Sequence, residues 1–137
     1  MPEPTRPSRG LLDTSVLIDI GKVAPTRLPV EVAISTITLA ELAAGPHAAQ
    51  DPHERARRQE HLQRAEAAFH PVPFDTDSAR AYGRVSAAVT ASGRKARGAR
   101  AVDLLIAATA LAEELPLYTR NIGDFVGLEH LLDVIEV

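Results

Sequence analysis

The chain has no cysteine. That excludes a disulfide scaffold, thiolate zinc sites and a cysteine nucleophile, and it fits a reducing, cytoplasmic setting. No apolar run is long enough to span a membrane, and residues 1–10 (MPEPTRPSRG) hold no apolar stretch suited to a signal peptide, so no membrane association is expected. Neither sign of charge dominates, with 15 Lys+Arg against 18 Asp+Glu and a formal net charge of −3. Attraction to nucleic acid or anionic lipid by bulk charge is excluded, though a local basic patch is not. Gly93 and Gly98 fit neither dinucleotide-binding nor P-loop spacing, so a glycine-rich phosphate cradle is missing. The histidines (His47, His53, His61, His70 and His130) pair at no zinc spacing and read as solvated surface. No internal repeat is visible.

What remains is 137 residues, 45% of them hydrophobic. A single domain of this size buries roughly two-thirds of its unfolded surface, enough for a real core. Residues 1–10 read as a loose tail and 11–137 as the domain. Leu11-Leu12 reads as a short buried strand running into a helix that Thr14 or Ser15 would cap. Val30–Thr36 reads as a strand from its β-branched residues, and Thr38–Ala44 as a helix stopped by Gly45-Pro46. A polar amphipathic helix follows between Asp51 and Phe69, then a short strand at Val72–Phe74 and a helix from about Asp75 to Thr90. Arg94–Arg100 is a basic loop, Ala101–Glu114 a helix apolar on nearly every side, and Pro116–Thr119 and Asp133–Val137 are closing strands. This alternation predicts an α/β fold, a mostly parallel sheet of four to five short strands covered by helices on both faces.

Ligands of open parallel sheets bind outside the carboxyl ends of the strands. Asp13 follows the first strand, Glu41 lies one turn into the helix after the second, and Asp124 sits in the loop after PLYT. Asp103 opens the buried helix on a face continued by Ile106, Ala107 and Ala110. Each has an ordinary reading as well. Asp13 would serve as a helix cap, Glu41 as the far half of a capping box with Thr38, Asp103 as a complement to its helix dipole, and Asp124 as a turn residue. Four such roles would not by themselves gather four acids at one end of a sheet. Converging carboxylates repel unless cations intervene, and oxygen-only sites suit Mg²⁺ or Mn²⁺. The chemistry such sites serve is metal-assisted phosphodiester hydrolysis.

Taken in order, LLDTSVLI, ITLAELAAG, AVDLLIAATAL and LPLYTRNIGDFVGL resemble the PIN-domain ribonucleases, specifically the VapC-type toxins of bacterial toxin–antitoxin pairs. The resemblance runs from about Leu11 to Val137. It implies that Asp13, Glu41, Asp103 and Asp124 form a catalytic Mg²⁺ or Mn²⁺ site that hydrolyses RNA, commonly transfer or ribosomal RNA. Ser15, Thr119 and Asn121 match polar positions lining that pocket, with Asn121 standing where some relatives carry a further acid. A homodimer and inhibition by a VapB-type antitoxin whose tail enters the site are implied too. The amphipathic 51–69 segment is the expected antitoxin surface, and Arg94, Lys95, Arg97 and Arg100 are the expected RNA contacts. A PIN domain that binds RNA or protein without cutting is the competing reading, and the presence of all four acids argues against it. A Mg²⁺-dependent phosphatase lacks its D-x-D-x-T motif here, and Ser15 as a nucleophile lacks a base.

Overall fold

The computed structural model describes residues 6–137. Four strands, β1 (Arg9–Leu12), β2 (Glu31–Ala33), β3 (Leu117–Thr119) and β4 (Val134–Glu136), form one all-parallel sheet in the order β2-β1-β3-β4. Five helices complete the fold: α1 (Thr14–Ile18), α2 (Thr36–Ala48), α3 (Pro52–Ala68), α4 (Thr76–Ala91) and α5 (Ala99–Ala112). The segment expected as a strand at Val72–Phe74 makes a single parallel bridge from Val72 to Ser35.

Both faces of the sheet are covered, and the sequence shows how. Successive strand side chains point to opposite faces. Leu11 and Leu117 enter one core with α4 and α5, through Val85, Val89, Leu104 and Ile106, and with Leu128. Their neighbours Leu12 and Tyr118 enter the other with α1, α2 and α3, through Val16, Leu42 and Ala65. A period of two inside a continuous apolar run is the mark of a strand buried on both sides. Gly10 on β1 is required by the second core: a Cβ there would lie 2.5 Å from Cε2 of Tyr118.

Three sequence expectations are corrected. β1 begins at Arg9, and the Arg6 guanidinium donates to the carbonyls of Leu28 (2.9 Å) and Pro25 (3.0 Å), so residues 6–10 are fastened to the domain. The rest of the expected tail, residues 1–5, lies outside the described residues. Helix α2 does not stop at Gly45-Pro46 but runs to Ala48 with Pro46 inside it. A proline in the last turn removes only one helical hydrogen bond. The neighbouring carbonyls are taken from α3 instead, Gly45 O by Arg58 (3.0 Å) and Pro46 O by Arg55 (3.3 Å). Finally, α5 starts two residues early, at Ala99, because Gly98 adopts φ of +71° at its N-cap.

Helix α3 meets the core through Ala65, with Leu62 and Phe69 packed against it, and its polar face is built from local signals. Asp51 caps it, Pro52 occupies its first position, and Glu54–Arg58 and Glu60–Arg64 pair at i,i+4 with the acid N-terminal, the favourable order.

Candidate active site: an acidic pocket at the carboxyl end of the sheet

Asp13 is the residue after β1 and the N-cap of α1, as its ordinary reading expected. Its side chain is 4% exposed. Oδ1 accepts from Val16 N (3.1 Å) and Ser15 Oγ (2.6 Å), and its second oxygen meets no protein donor among the described residues. Ser15 Oγ in turn accepts from Arg120 N (3.1 Å), which ties α1 to the end of β3.

Glu41 is not a capping residue. Ser35 caps α2 by accepting from Thr38 N (3.1 Å), which leaves Glu41 exposed and more than one turn into the helix. Thr14 Oγ1 donates to Glu41 Oε1 (2.5 Å) and lies 3.0 Å from Thr38 Oγ1. Thr14 and Thr38 therefore orient Glu41, a role that the sequence reading did not give them. The only signal in sequence was their place beside two of the acids, in LDTS and T-x-A-E.

Asp103 lies beyond the first turn of α5, so dipole complementation is not its main role. The helix face that follows it is fully buried at Ile106, Ala107 and Ala110. Burial, followed by the charges of Asp124, Asp13 and Glu41, pushes the Asp103 carboxyl up to about 6, with Arg100 partly opposing. The four acids thus share one field. Asp124 reaches it from a 3-10 turn, Ile122–Phe125, directly after β3. Asn121 opens that turn. Its Oδ1 accepts from Gly123 N (3.2 Å) and caps that turn. Thr119 is buried, and its hydroxyl accepts from Asn121 N (3.0 Å), shaping the same corner.

Among the described residues, none of the four acids forms an ion pair, although Asp19, Glu31, Glu54, Glu60 and Asp77 all do. Asp19 pairs with Lys22 and Arg120 and is a structural residue at the rim. A carboxylate array with no ion-paired partner suits a divalent ion. Among the described residues the acids do not close into a ready-made cage of three.

The four expected RNA contacts divide. Lys95 and Arg97 are exposed. Arg94 and Arg100 are half-buried, and their guanidinium groups donate to the carbonyls of Gly123 (2.7 Å) and Asp124 (3.4 Å). A separate apolar hollow of about 520 Å³ lies between α1, α2 and α3, lined by Leu17, Ile20, Leu42, Ala65 and Phe69 with Lys22 and Arg64 at its edge. None of the four acids lines it.

The PIN-domain family pattern matches residues 10–125, and the chain belongs to that family. It is 38% identical over 128 residues to Ribonuclease VapC5 of Mycobacterium tuberculosis, covering 91% of each chain. The toxin–antitoxin complex VapBC-5 from the same organism contains a chain that superposes with a TM-score of 0.81 at 35% identity, covering 96% of this chain and all of that one. VapBC2 from Rickettsia felis, bound to a DNA fragment from its promoter, superposes with a TM-score of 0.73 at 25% identity, covering 94% of this chain and 98% of the other. The α/β fold expected from sequence is therefore the fold found. No helix among the described residues is long and apolar enough to cross a membrane.

Proposed function

We propose that this chain is a Mg²⁺- or Mn²⁺-dependent endoribonuclease of the VapC type, cutting transfer or ribosomal RNA and restrained by a VapB-type antitoxin. One observation carries the reading: four carboxylates share one field in which none is paired with a cation, and burial with mutual repulsion lifts Asp103 to about 6 against the partial opposition of Arg100. Asp13, which is buried, and Asp103 and Asp124, which are half-buried, would hold the ion, with the exposed Glu41 completing the set. When bound, the ion supplies an activated water and charge relief on the leaving oxygen. The chain's own residues prepare for that. Val16 N and Ser15 Oγ fix Asp13 in one rotamer, Thr14 fixes Glu41, and the low-polarity wall of α5 keeps Asp103 poorly hydrated.

Incubation with total RNA and Mg²⁺ or Mn²⁺ should give discrete cut ends, abolished by EDTA and by Asp13→Asn. Cutting that persists in EDTA would refute the reading.

The antitoxin surface expected at 51–69 takes a more definite form as the hollow between α1, α2 and α3. Ala65 and Phe69 form one wall, and Ile18 and Ile20, 49% and 38% exposed, form the other. An amphipathic antitoxin segment with acidic flanks would seat there against Lys22 and Arg64, placing an arginine in the acid pocket. A homodimer in solution belongs to the same reading and is checked by light scattering.

A further inference from the structure

The connection between α4 and α5 is fastened to the turn that carries Asp124. Gly93, with φ of +84°, reverses the chain after α4, and Arg94 N donates back to Val89 O (3.1 Å). From there the Arg94 side chain crosses to Gly123 O at 2.7 Å, 29 residues away in sequence. Arg100, in the first turn of α5, reaches Asp124 O at 3.4 Å.

These carbonyls need partners. The Ile122–Phe125 turn is four residues long, so an i→i+3 ladder satisfies only its first carbonyl internally. Were the helix to continue, the N–H groups of Val126 and Gly127 would take Gly123 O and Asp124 O. Gly127 N instead donates to the Glu129 carboxylate (2.9 Å). Two guanidinium groups fill the places a longer helix would have filled.

We infer that Arg94 and Arg100 are positioning residues that latch the Asp124 turn onto the α4–α5 connection and so hold the Asp124 carboxylate opposite Asp103. The inference rests on the proposed metal site and assigns these two arginines a task other than contact with RNA phosphates. Lys95 and Arg97, exposed beside them, remain the cations available to a nucleic acid.

The test uses the sign of the effect on metal binding. Removing a positive charge near four acids should, by Coulomb's law alone, tighten binding of a divalent cation. Losing the latch should weaken it, because the partners that orient a metal's ligands are worth about 10–100-fold in affinity. Mn²⁺ titration without RNA, followed by electron paramagnetic resonance, would compare wild type, Arg94→Gln, Arg94→Lys and the Lys95→Gln, Arg97→Gln double variant. Arg94→Gln should bind Mn²⁺ about tenfold more weakly. Arg94→Lys should fall between it and wild type, and the double variant should bind no more weakly than wild type. Hydrogen exchange in metal-free buffer gives a second readout: amides 122–125 should exchange faster in Arg94→Gln and unchanged in the double variant. If Arg94→Gln fails to fold, Arg94→Lys carries both measurements. Equal or tighter Mn²⁺ binding with unchanged exchange at 122–125 would overturn the latch. Failure of wild type to bind Mn²⁺ would instead overturn the metal site, and the exchange data would still decide the latch.

Discussion

Replacing Asp103 by Asn should stabilise the metal-free protein, by an amount that depends on pH. The folded pKa of about 6 compares with an ordinary aspartate value of 3.8. At about 1.4 kcal/mol per pH unit, the full difference is about 3 kcal/mol. The side chain is only half-buried, so solvent screening brings the expected effect down to about 1–2 kcal/mol. The sign follows from linkage. A raised folded pKa means that the native state binds the proton more tightly than the unfolded chain does. Its stabilising contribution is complete below pH 3.8 and is lost as pH rises through 6. The amide that Asp103→Asn introduces does not titrate. Melting curves in EDTA should therefore diverge between pH 4.5 and 7.5, reaching a Tm advantage for Asp103→Asn of about 3–8 °C at the upper end. Saturating Mn²⁺ should erase or reverse that advantage, because only the wild type gains ligand-binding energy. A variant no more stable than wild type at pH 7.5 in EDTA, or one equally favoured at both pH values, would refute the reading that burial and neighbouring acids disfavour the charged Asp103 carboxylate.

Cleavage should not be additive across the acids: Asp13→Asn with Glu41→Gln should be little slower than Asp13→Asn alone, as rate assays on one RNA would show. Lys95→Gln with Arg97→Gln should flatten the log–log salt dependence of single-stranded RNA binding by about 0.7 for each lost contact, measured on an Asp13→Asn background. Ile20→Glu should weaken antitoxin binding by about 1–3 kcal/mol in calorimetry while leaving RNA cleavage intact, since the hollow is lined by none of the acids. Gly10→Ala should cost about 1–3 kcal/mol in denaturant melts, because the new methyl meets the Tyr118 ring.

The acids were legible in the sequence because strand ends were. A doubly buried run such as LLDTSV announces both a central strand and the place where it stops, and Asp13 falls at that stop. Asp103 was legible from the apolar face it heads. Boundaries were less so. Pro46 looked like a helix stop because the arginines that satisfy the carbonyls around it, Arg55 and Arg58, belong to the next helix. Thr38 and Glu41 looked like a capping box because Ser35, the true cap, sat inside what read as a strand. Arg94 and Arg100 looked like free charge. Their acceptors are backbone oxygens 24 or more residues away, and a carbonyl carries no residue-type signature to be read.

The stitching of α2 to α3 by Arg55 and Arg58 also bears on timing. Those contacts end on main-chain oxygens, so they hold the start of α3 against the end of α2 whatever side chains line the hollow beside them. If a partner seats in that hollow as proposed, a wall already fixed by the fold would spend little ordering entropy on capture. Docking there would then have an encounter rate set by diffusion and steering and a complex lifetime set by how well the incoming residues fill the floor. Sequence changes in the partner would accordingly alter how long restraint lasts far more than how quickly it is established.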